Sequence, residues 1–123
     1  MARVLIVEDS PLIVQMLTMV CQGAGHEVVA CERFGEVAPV AGQGFDVVIT
    51  DLNLPEVPGD DTVRALRAIE GLASLPVIIV SGRPRAELEQ IAAERGAQGA
   101  LSKDDGMPVI AAELPPMIAN LIG

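Results

Sequence analysis

The fold is decided first by residues 4–11, which read VLIVEDSP. Four apolar residues in a row predict a short buried strand. The acids Glu8 and Asp9 follow where that strand ends, and Ser10 and Pro11 suit the N-cap and the first position of a helix. A strand that leads directly into a helix is the repeating unit of an α/β fold.

The same unit recurs along the chain. Strands are predicted over residues 3–7, 27–31, 46–50, 76–80 and 98–102. The helices between them are expected over residues 11–23 (or to 25), 34–42, 59–70 and 84–96, and the second is weak because Pro39 and Gly42 interrupt it. Regular alternation predicts a parallel sheet with helices on both faces, in a single domain over residues 1–123.

The last helix, expected over residues 107–122, contains Pro115 and Pro116 in its middle. Each proline removes a backbone donor and clashes with the preceding turn, at a cost of about 3 kcal/mol. We therefore expect a kink or two short helices. The segment carries one charge, Glu113, so it is either buried more than usual or part of a contact surface.

Composition excludes several classes of function. The net charge of −9 argues against direct binding of nucleic acid or of an anionic membrane surface. Trp and Tyr are absent and only two residues are Phe, so the stacking platforms of single-strand binders are missing. Cys21 and Cys31 lie in apolar stretches, which predicts buried free thiols. With no signal peptide and no long apolar run, we expect a soluble, cytoplasmic protein.

Polar side chains stand at the ends of four predicted strands: Glu8-Asp9, Asp51, Ser81 and Lys103. Ligands of open α/β sheets bind at the carboxyl ends of the strands, so these groups should converge on one place. Three acids, one hydroxyl and one ammonium suit a divalent cation and a phosphoryl group.

The chain resembles the receiver (phosphoacceptor) domain of two-component response regulators. The resemblance rests on the four sites, which are spaced 42, 30 and 22 residues apart from Asp9 to Lys103, and on residues 51–59, DLNLPEVPG. It covers essentially the whole chain. It implies a flavodoxin-like fold, a doubly wound sheet of five parallel strands in the order 2-1-3-4-5.

The resemblance also implies the chemistry. Asp51 would accept a phosphoryl group from a histidine kinase or a histidine phosphotransfer protein, and Lys103 and Ser81 would contact the phosphoryl oxygens. Mg²⁺ is the implied cofactor, held by Asp9, Asp51 and the backbone carbonyl of Asn53, with Glu8 acting through water. Catalysis would be limited to the chain's own aspartyl phosphorylation and dephosphorylation, with the signal passed on by protein contact.

Three features depart from the family pattern. Ala100 stands where the family usually has an aromatic residue that couples phosphorylation to the output face. Lys103 is followed by Asp104-Asp105 rather than by proline, and Pro115-Pro116 interrupts the last helix. All three lie on the face that receivers commonly use for signalling, so we expect the phosphoacceptor chemistry to be kept and the output to differ.

The first helix is apolar nearly all round. By resemblance, Ile13 and Met16 would dock on the helical bundle of the kinase or phosphotransfer protein; the other interpretation is a thick aliphatic core. The apolar last segment leaves open a homodimer through residues 100–122.

Three competing functions follow from other features. A degenerate receiver would act as a phosphorylation-independent binding or dimerisation module, which the altered loop and apolar last helix favour. An aspartyl phosphatase usually needs a second acid two residues after its nucleophile, where this chain has Asn53. A flavin carrier lacks the aromatic residues that would sandwich the ring.

Overall fold

A sheet of five parallel strands forms the centre of the molecule in the computed structural model, which describes residues 1–58 and 61–123. The strand order is β2-β1-β3-β4-β5, which confirms the predicted topology. The strands are β1 (Arg3–Val7), β2 (Glu27–Cys31), β3 (Val47–Thr50), β4 (Val77–Ser81) and β5 (Gly99–Ser102).

Helices cover both faces of the sheet. They are α1 (Pro11–Gly23), α2 (Val37–Val40), α3 (Thr62–Arg67), α4 (Arg85–Arg95) and α5 (Met107–Ile122). One face packs on α1 and α5, through side chains such as Leu17 and Leu114. The other face packs on α2, α3 and α4, through side chains such as Val37, Leu66 and Leu88. Buried aliphatic residues dominate both layers, as the scarcity of aromatic residues requires.

The helix termini follow local signals. Ser10 caps α1, where its hydroxyl accepts from the Ile13 amide at 3.5 Å, and Pro11 occupies the first turn. Gly96 ends α4 in the left-handed conformation, with φ of 79°. The predicted weakness of the second helix is confirmed, because α2 is a single turn between two short 3₁₀ turns.

The third helix is shorter than expected. It was predicted to run from about Gly59 to Glu70, but α3 ends at Arg67 and Gly59 lies outside the described residues. The chain instead turns through Gly71, whose φ is +97° and whose position faces the carbonyl oxygen of Ala41. A Cβ at residue 71 would lie 2.7 Å from that oxygen, so only glycine permits this close turn.

The last helix is continuous. Of the two expected outcomes, a kink or two short helices, the second was therefore wrong. Pro115 and Pro116 lie inside the 16 residues of α5. Proline lacks the amides that would donate to the carbonyls of Ala111 and Ala112 within the helix. Both alanines are exposed, which limits the cost of the missing bonds. Packing of Ile110, Leu114 and Ile118 against the sheet holds the helix together.

Two further observations bear on the predictions from composition. Cys21 and Cys31 are both buried free thiols, as predicted. Within residues 1–58 and 61–123, the structure has no helix that combines the length and apolar character needed to cross a membrane.

Candidate functional site

The sheet brings the polar strand ends to one edge. Strands β1 and β3 are neighbours in register, with Val7 beside Thr50, so Glu8 and Asp51 emerge side by side. The Asp51 amide donates to the carbonyl oxygen of Val7 at 3.0 Å and extends this pairing by one residue. Ser81 and Ser102, which precedes Lys103, are paired at the ends of β4 and β5.

Asp51 is held from both sides. Its side chain is 4% exposed. Its Oδ1 accepts from the amides of Leu52 at 2.7 Å and Asn53 at 3.2 Å, and its Oδ2 accepts from Lys103 Nζ at 3.0 Å. Burial raises the pKa of Asp51, but the Lys103 ammonium and the Asn53 amide outweigh it, so the net pKa is lowered. The carboxylate is therefore ionised at neutral pH.

Glu8 shares the same lysine but has the opposite pKa shift. The residue is only 1% exposed, and its Oε2 accepts from the Ser10 amide at 3.0 Å. Its Oε1 lies 2.6 Å from Lys103 Nζ as an ion pair. Burial raises the pKa of Glu8 to about 7, against the lowering effects of Lys103 and the Ser10 amide.

Lys103 thus bridges two buried carboxylates. Burial lowers the pKa of its ammonium, but the pairing with Glu8 and Asp51 outweighs this and raises it overall. Of the two acids that follow Lys103, the Asp105 carboxylate lies 3.9 Å from Arg85, and the Asp104 backbone amide donates to Ser102 Oγ.

Glu8, Asp9 and Asp51 form an acidic cluster. Each contributes a carboxylate oxygen, and these oxygens lie within 4.8 Å of one another. An octahedral Mg²⁺ with bonds of roughly 2.1 Å separates its ligand oxygens by roughly 3–4.2 Å, so small side-chain movements would suffice. Asp9 is exposed and accessible from solvent, whereas the other two are buried. The donor set therefore fits Mg²⁺.

Ser81 is fully buried at the end of β4. Among the described residues its hydroxyl has no hydrogen-bond partner of good geometry, although it lies near enough to Asp51 to lower the pKa of that carboxyl. An unpaired buried hydroxyl beside an ionised carboxylate is free to donate to an incoming oxyanion.

The sequence analysis missed three polar groups that build the site. Ser102 Oγ donates to the carbonyl oxygen of Arg83 at 2.7 Å and ties the loop after β4 to the end of β5. Thr50 Oγ1 donates to the Asp51 carbonyl at 2.8 Å, and the Leu52 amide holds Asp51 Oδ1. A hydroxyl residue at the end of an apolar strand was the available signal for Ser102 and Thr50.

The predicted docking residues are less exposed than expected. Ile13 and Met16 are both half-buried, and Ile13 packs against the core. The exposed apolar side chains of α1 are Leu12 and Met19, each 64% exposed. Between α1 and α5 lies an apolar groove of about 360 Å³, lined by Met16, Met19, Val20, Met107, Pro108 and Ala111.

The opposite side of α5 faces α4. Arg85 pairs with Glu113 through two contacts of 3.0 Å and joins the two helices. Ala100 is buried under a second groove of about 380 Å³ between these helices, next to Met117. Ala100, Glu113 and Met117 belong to residues 100–122, the segment that the sequence analysis considers as a homodimer contact.

Comparison with known proteins identifies relatives over nearly the whole chain. A family model described as the response regulator receiver domain matches residues 4–114. Protein PilH of Pseudomonas aeruginosa is 35% identical over 105 residues, which cover 84% of this chain and 86% of PilH. Several other curated relatives are longer, and the chain spans half of their length or less.

Solved structures agree in fold. The chemotaxis response regulator CheY4 of Vibrio cholerae has a TM-score of 0.79 and 31% identity, over 95% of this chain and 98% of CheY4. The receiver domain of a sensor histidine kinase from Pseudomonas aeruginosa, crystallised with a magnesium ion in its active site cleft, has a TM-score of 0.81 and 24% identity. That match covers 99% of this chain and 98% of the kinase receiver.

Proposed function

Because this chain belongs to the family of response regulator receiver domains, we propose that it accepts a phosphoryl group on Asp51 from a phosphohistidine. The donor would be a histidine kinase or a histidine phosphotransfer protein. The observation that carries this proposal is the state of Asp51: buried, held ionised by Lys103, and within 4.8 Å of two other carboxylates.

Asp51 supplies the nucleophile. An oxygen of its carboxylate forms a bond to phosphorus while the phosphorus–nitrogen bond of the donor breaks, and the electron pair leaves with the imidazole. No general base is needed because the carboxylate is already ionised. Lys103 pairs with a phosphoryl oxygen and the unpaired Ser81 hydroxyl donates to another, so that charge and position lower the barrier.

The charge of the acidic cluster supports a metal site. When ionised, Glu8, Asp9 and Asp51 carry three negative charges and Lys103 carries one positive charge. The site therefore has a net charge of −2. Mg²⁺ held by Asp9, Asp51 and the Asn53 backbone carbonyl, with Glu8 acting through water, would cancel this charge and attract phosphoryl oxygens. We assign the chain no reaction other than its own phosphorylation and dephosphorylation.

The first test is phosphorylation by a small donor. Incubation with acetyl phosphate and Mg²⁺ should add one phosphoryl group to the intact mass, and Asp51→Ala should remove the adduct. The matched control is Asp46→Ala, which changes an acid at the opposite end of β3. Absence of an adduct in the presence of Mg²⁺ would overturn the proposal and favour a phosphorylation-independent binding module.

The second test concerns the protein donor. Ile13 and Met16 remain the proposed contacts, but Ile13 also packs against the core, so changing it tests stability as well. Met19→Lys changes an exposed side chain that lines the groove between α1 and α5. It should slow transfer from the donor while leaving acetyl phosphate labelling intact, whereas equal loss with both donors would refute docking there.

A further inference from the structure

A second cluster of charged side chains lies at the edge of the sheet opposite the acidic cluster. It surrounds a pocket of about 440 Å³ between the C-terminal ends of α3 and α4, lined by Arg64, Arg67, Ala68, Glu94 and Arg95. We call it the arginine pocket. None of its residues belongs to the phosphoacceptor site.

The arginine pocket is rich in positive charge, whereas the chain as a whole is negative. The protein has eight basic residues and a net charge of −9, yet three of the eight meet here beside a single acid, Glu94. Each helix C-terminus contributes roughly −0.5 of an elementary charge, which offsets only part of the excess. The pocket is therefore locally positive.

Arg67 forms a rigid part of the pocket. Its guanidinium donates to the carbonyl oxygens of Ala73 at 3.3 Å and Gly96 at 2.8 Å, and to Gln98 Oε1 at 3.1 Å. All three acceptors are formally uncharged, so they fix the guanidinium without neutralising it. Arg67 Nε is buried and has no hydrogen-bond partner among the described residues.

Arg64 and Arg95 are available to a ligand. Across residues 1–58 and 61–123, neither side chain makes a hydrogen bond or an ion pair. Glu94, the acid beside them, instead accepts from Gln90 at 3.1 Å. Two unpaired guanidinium groups next to a fixed one present the planar donors that bind phosphate and carboxylate groups in pairs.

We propose that the arginine pocket binds a compact anion with two or more negative charges, either a phosphate ester or a polycarboxylate. Its size falls within the range of small-molecule sites. The proposal does not depend on phosphorylation of Asp51, because the two sites lie at opposite edges of the sheet and share no residue.

The test uses the full chain free of Mg²⁺, so that the acidic cluster does not recruit phosphate. Pyrophosphate is titrated at about 0.1 M salt, which screens distant charges, while backbone amide shifts are followed by NMR. Saturable shifts should centre on Ala68 and Arg95. Arg64→Gln and Arg95→Gln should each weaken binding by about five-fold or more, whereas Glu94→Gln should strengthen it.

Arg33→Gln is the matched control, since it removes one exposed positive charge far from the pocket. Its affinity for pyrophosphate should stay unchanged. Equal weakening by Arg33→Gln, shifts centred on Lys103, or no saturation would each overturn the proposal. A parallel titration with citrate distinguishes the ligand sources: tighter pyrophosphate assigns the site to phosphates and tighter citrate to carboxylates.

Discussion

At the scale of single residues, the site depends on how one ammonium is shared. Lys103 contacts Glu8 and Asp51 at 2.6 and 3.0 Å, yet the pKa of Glu8 is raised and that of Asp51 is lowered. Burial acts on both, but Asp51 also accepts from two backbone amides and Glu8 from one. The shorter distance to the cation does not give the lower pKa, because the backbone amides and the neighbouring Asp51 carboxylate contribute as well.

The raised pKa of Glu8 predicts a pH-dependent stability. Its folded pKa of about 7 exceeds the value of 4.5 for an ordinary Glu, so the folded state binds the proton more tightly. This contribution is complete below pH 4.5 and is lost as the pH rises through about 7. In Mg²⁺-free protein the wild type should lose on the order of 3 kcal/mol of unfolding free energy across this range. Glu8→Gln should not show this loss, as measured by urea unfolding at each pH.

The control for Glu8 is Glu32→Gln, which removes an exposed carboxylate. It should keep the wild-type pH dependence of stability between pH 4.5 and about 7, the interval between the unfolded and folded pKa values of Glu8. The explanation fails if Glu8→Gln shows the same slope as the wild type.

Ser81 and Ser102 should respond in opposite ways to the loss of their hydroxyls. Ser102 Oγ both donates to Arg83 and accepts from Asp104, so Ser102→Ala should cost about 1–3 kcal/mol. Ser81 Oγ is buried and unpaired, so Ser81→Ala should leave the free energy of unfolding unchanged or raise it by up to about 1 kcal/mol. Chemical denaturation measures both, and a marked destabilisation by Ser81→Ala would mean that its hydroxyl is bonded in solution.

At the scale of elements, α5 shows how tertiary packing overrides local preference. Two central prolines disfavour a helix, yet α5 continues through both of them. Its buried side chains face the sheet, and the carbonyls left without donors belong to exposed alanines. The cost of the prolines is therefore limited to the missing bonds and any local distortion, and burial of the apolar face offsets it.

Pro115→Ala should therefore stabilise the protein. The new amide would donate to the Ala111 carbonyl within a helix that already exists, which stabilises the folded state. Loss of the proline also gives the unfolded chain more conformational freedom, which opposes this effect. We therefore expect a net gain of about 1–2 kcal/mol in the free energy of unfolding. Thermal and urea unfolding measure the gain. Gly71→Ala is the opposing control, since it should destabilise the protein by placing a Cβ 2.7 Å from Ala41 O. Destabilisation by Pro115→Ala would instead show that the proline ring contributes packing.

At the scale of the whole molecule, charge is separated between the two ends of the sheet. The acidic cluster occupies the carboxyl edge and the arginine pocket the opposite edge. The carboxylates repel one another through a partly buried environment, so the fold itself should be sensitive to a cation at that edge.

Mg²⁺ should accordingly raise the stability of the whole domain. At ten times its dissociation constant, a ligand of the folded state adds roughly 1.4 kcal/mol to the free energy of unfolding. Asp9→Asn should abolish most of this gain, because it removes the exposed ligand of the cluster. Asp46→Asn makes the same change in charge at the opposite end of β3 and should retain the gain. Equal loss in both variants would mean that Mg²⁺ acts only as a diffuse counterion.

The sequence by itself determined the α/β class, the strand positions to within a residue or so, and the four polar strand ends. Those features are local: apolar runs mark buried strands, and a side chain that follows Val7 or Thr50 must emerge at the edge of the sheet. The positions of Ser10, Pro11 and Gly96 at helix ends could be predicted for the same reason. The roles of Asp9, Asp51, Ser81 and Lys103 stay predictions until they are measured.

Only the tertiary structure decided how distant elements meet. It joined Lys103 to Glu8 and Asp51, and it left Ile13 half-buried while exposing Met19. It also left the Ser81 hydroxyl without a hydrogen-bond partner among the residues that the structure describes. It also kept α5 continuous and brought the arginines of α3 and α4 into one pocket. These outcomes depend on packing between segments far apart in the chain, and no local pattern of residues specifies the distances, burial and pairing that result.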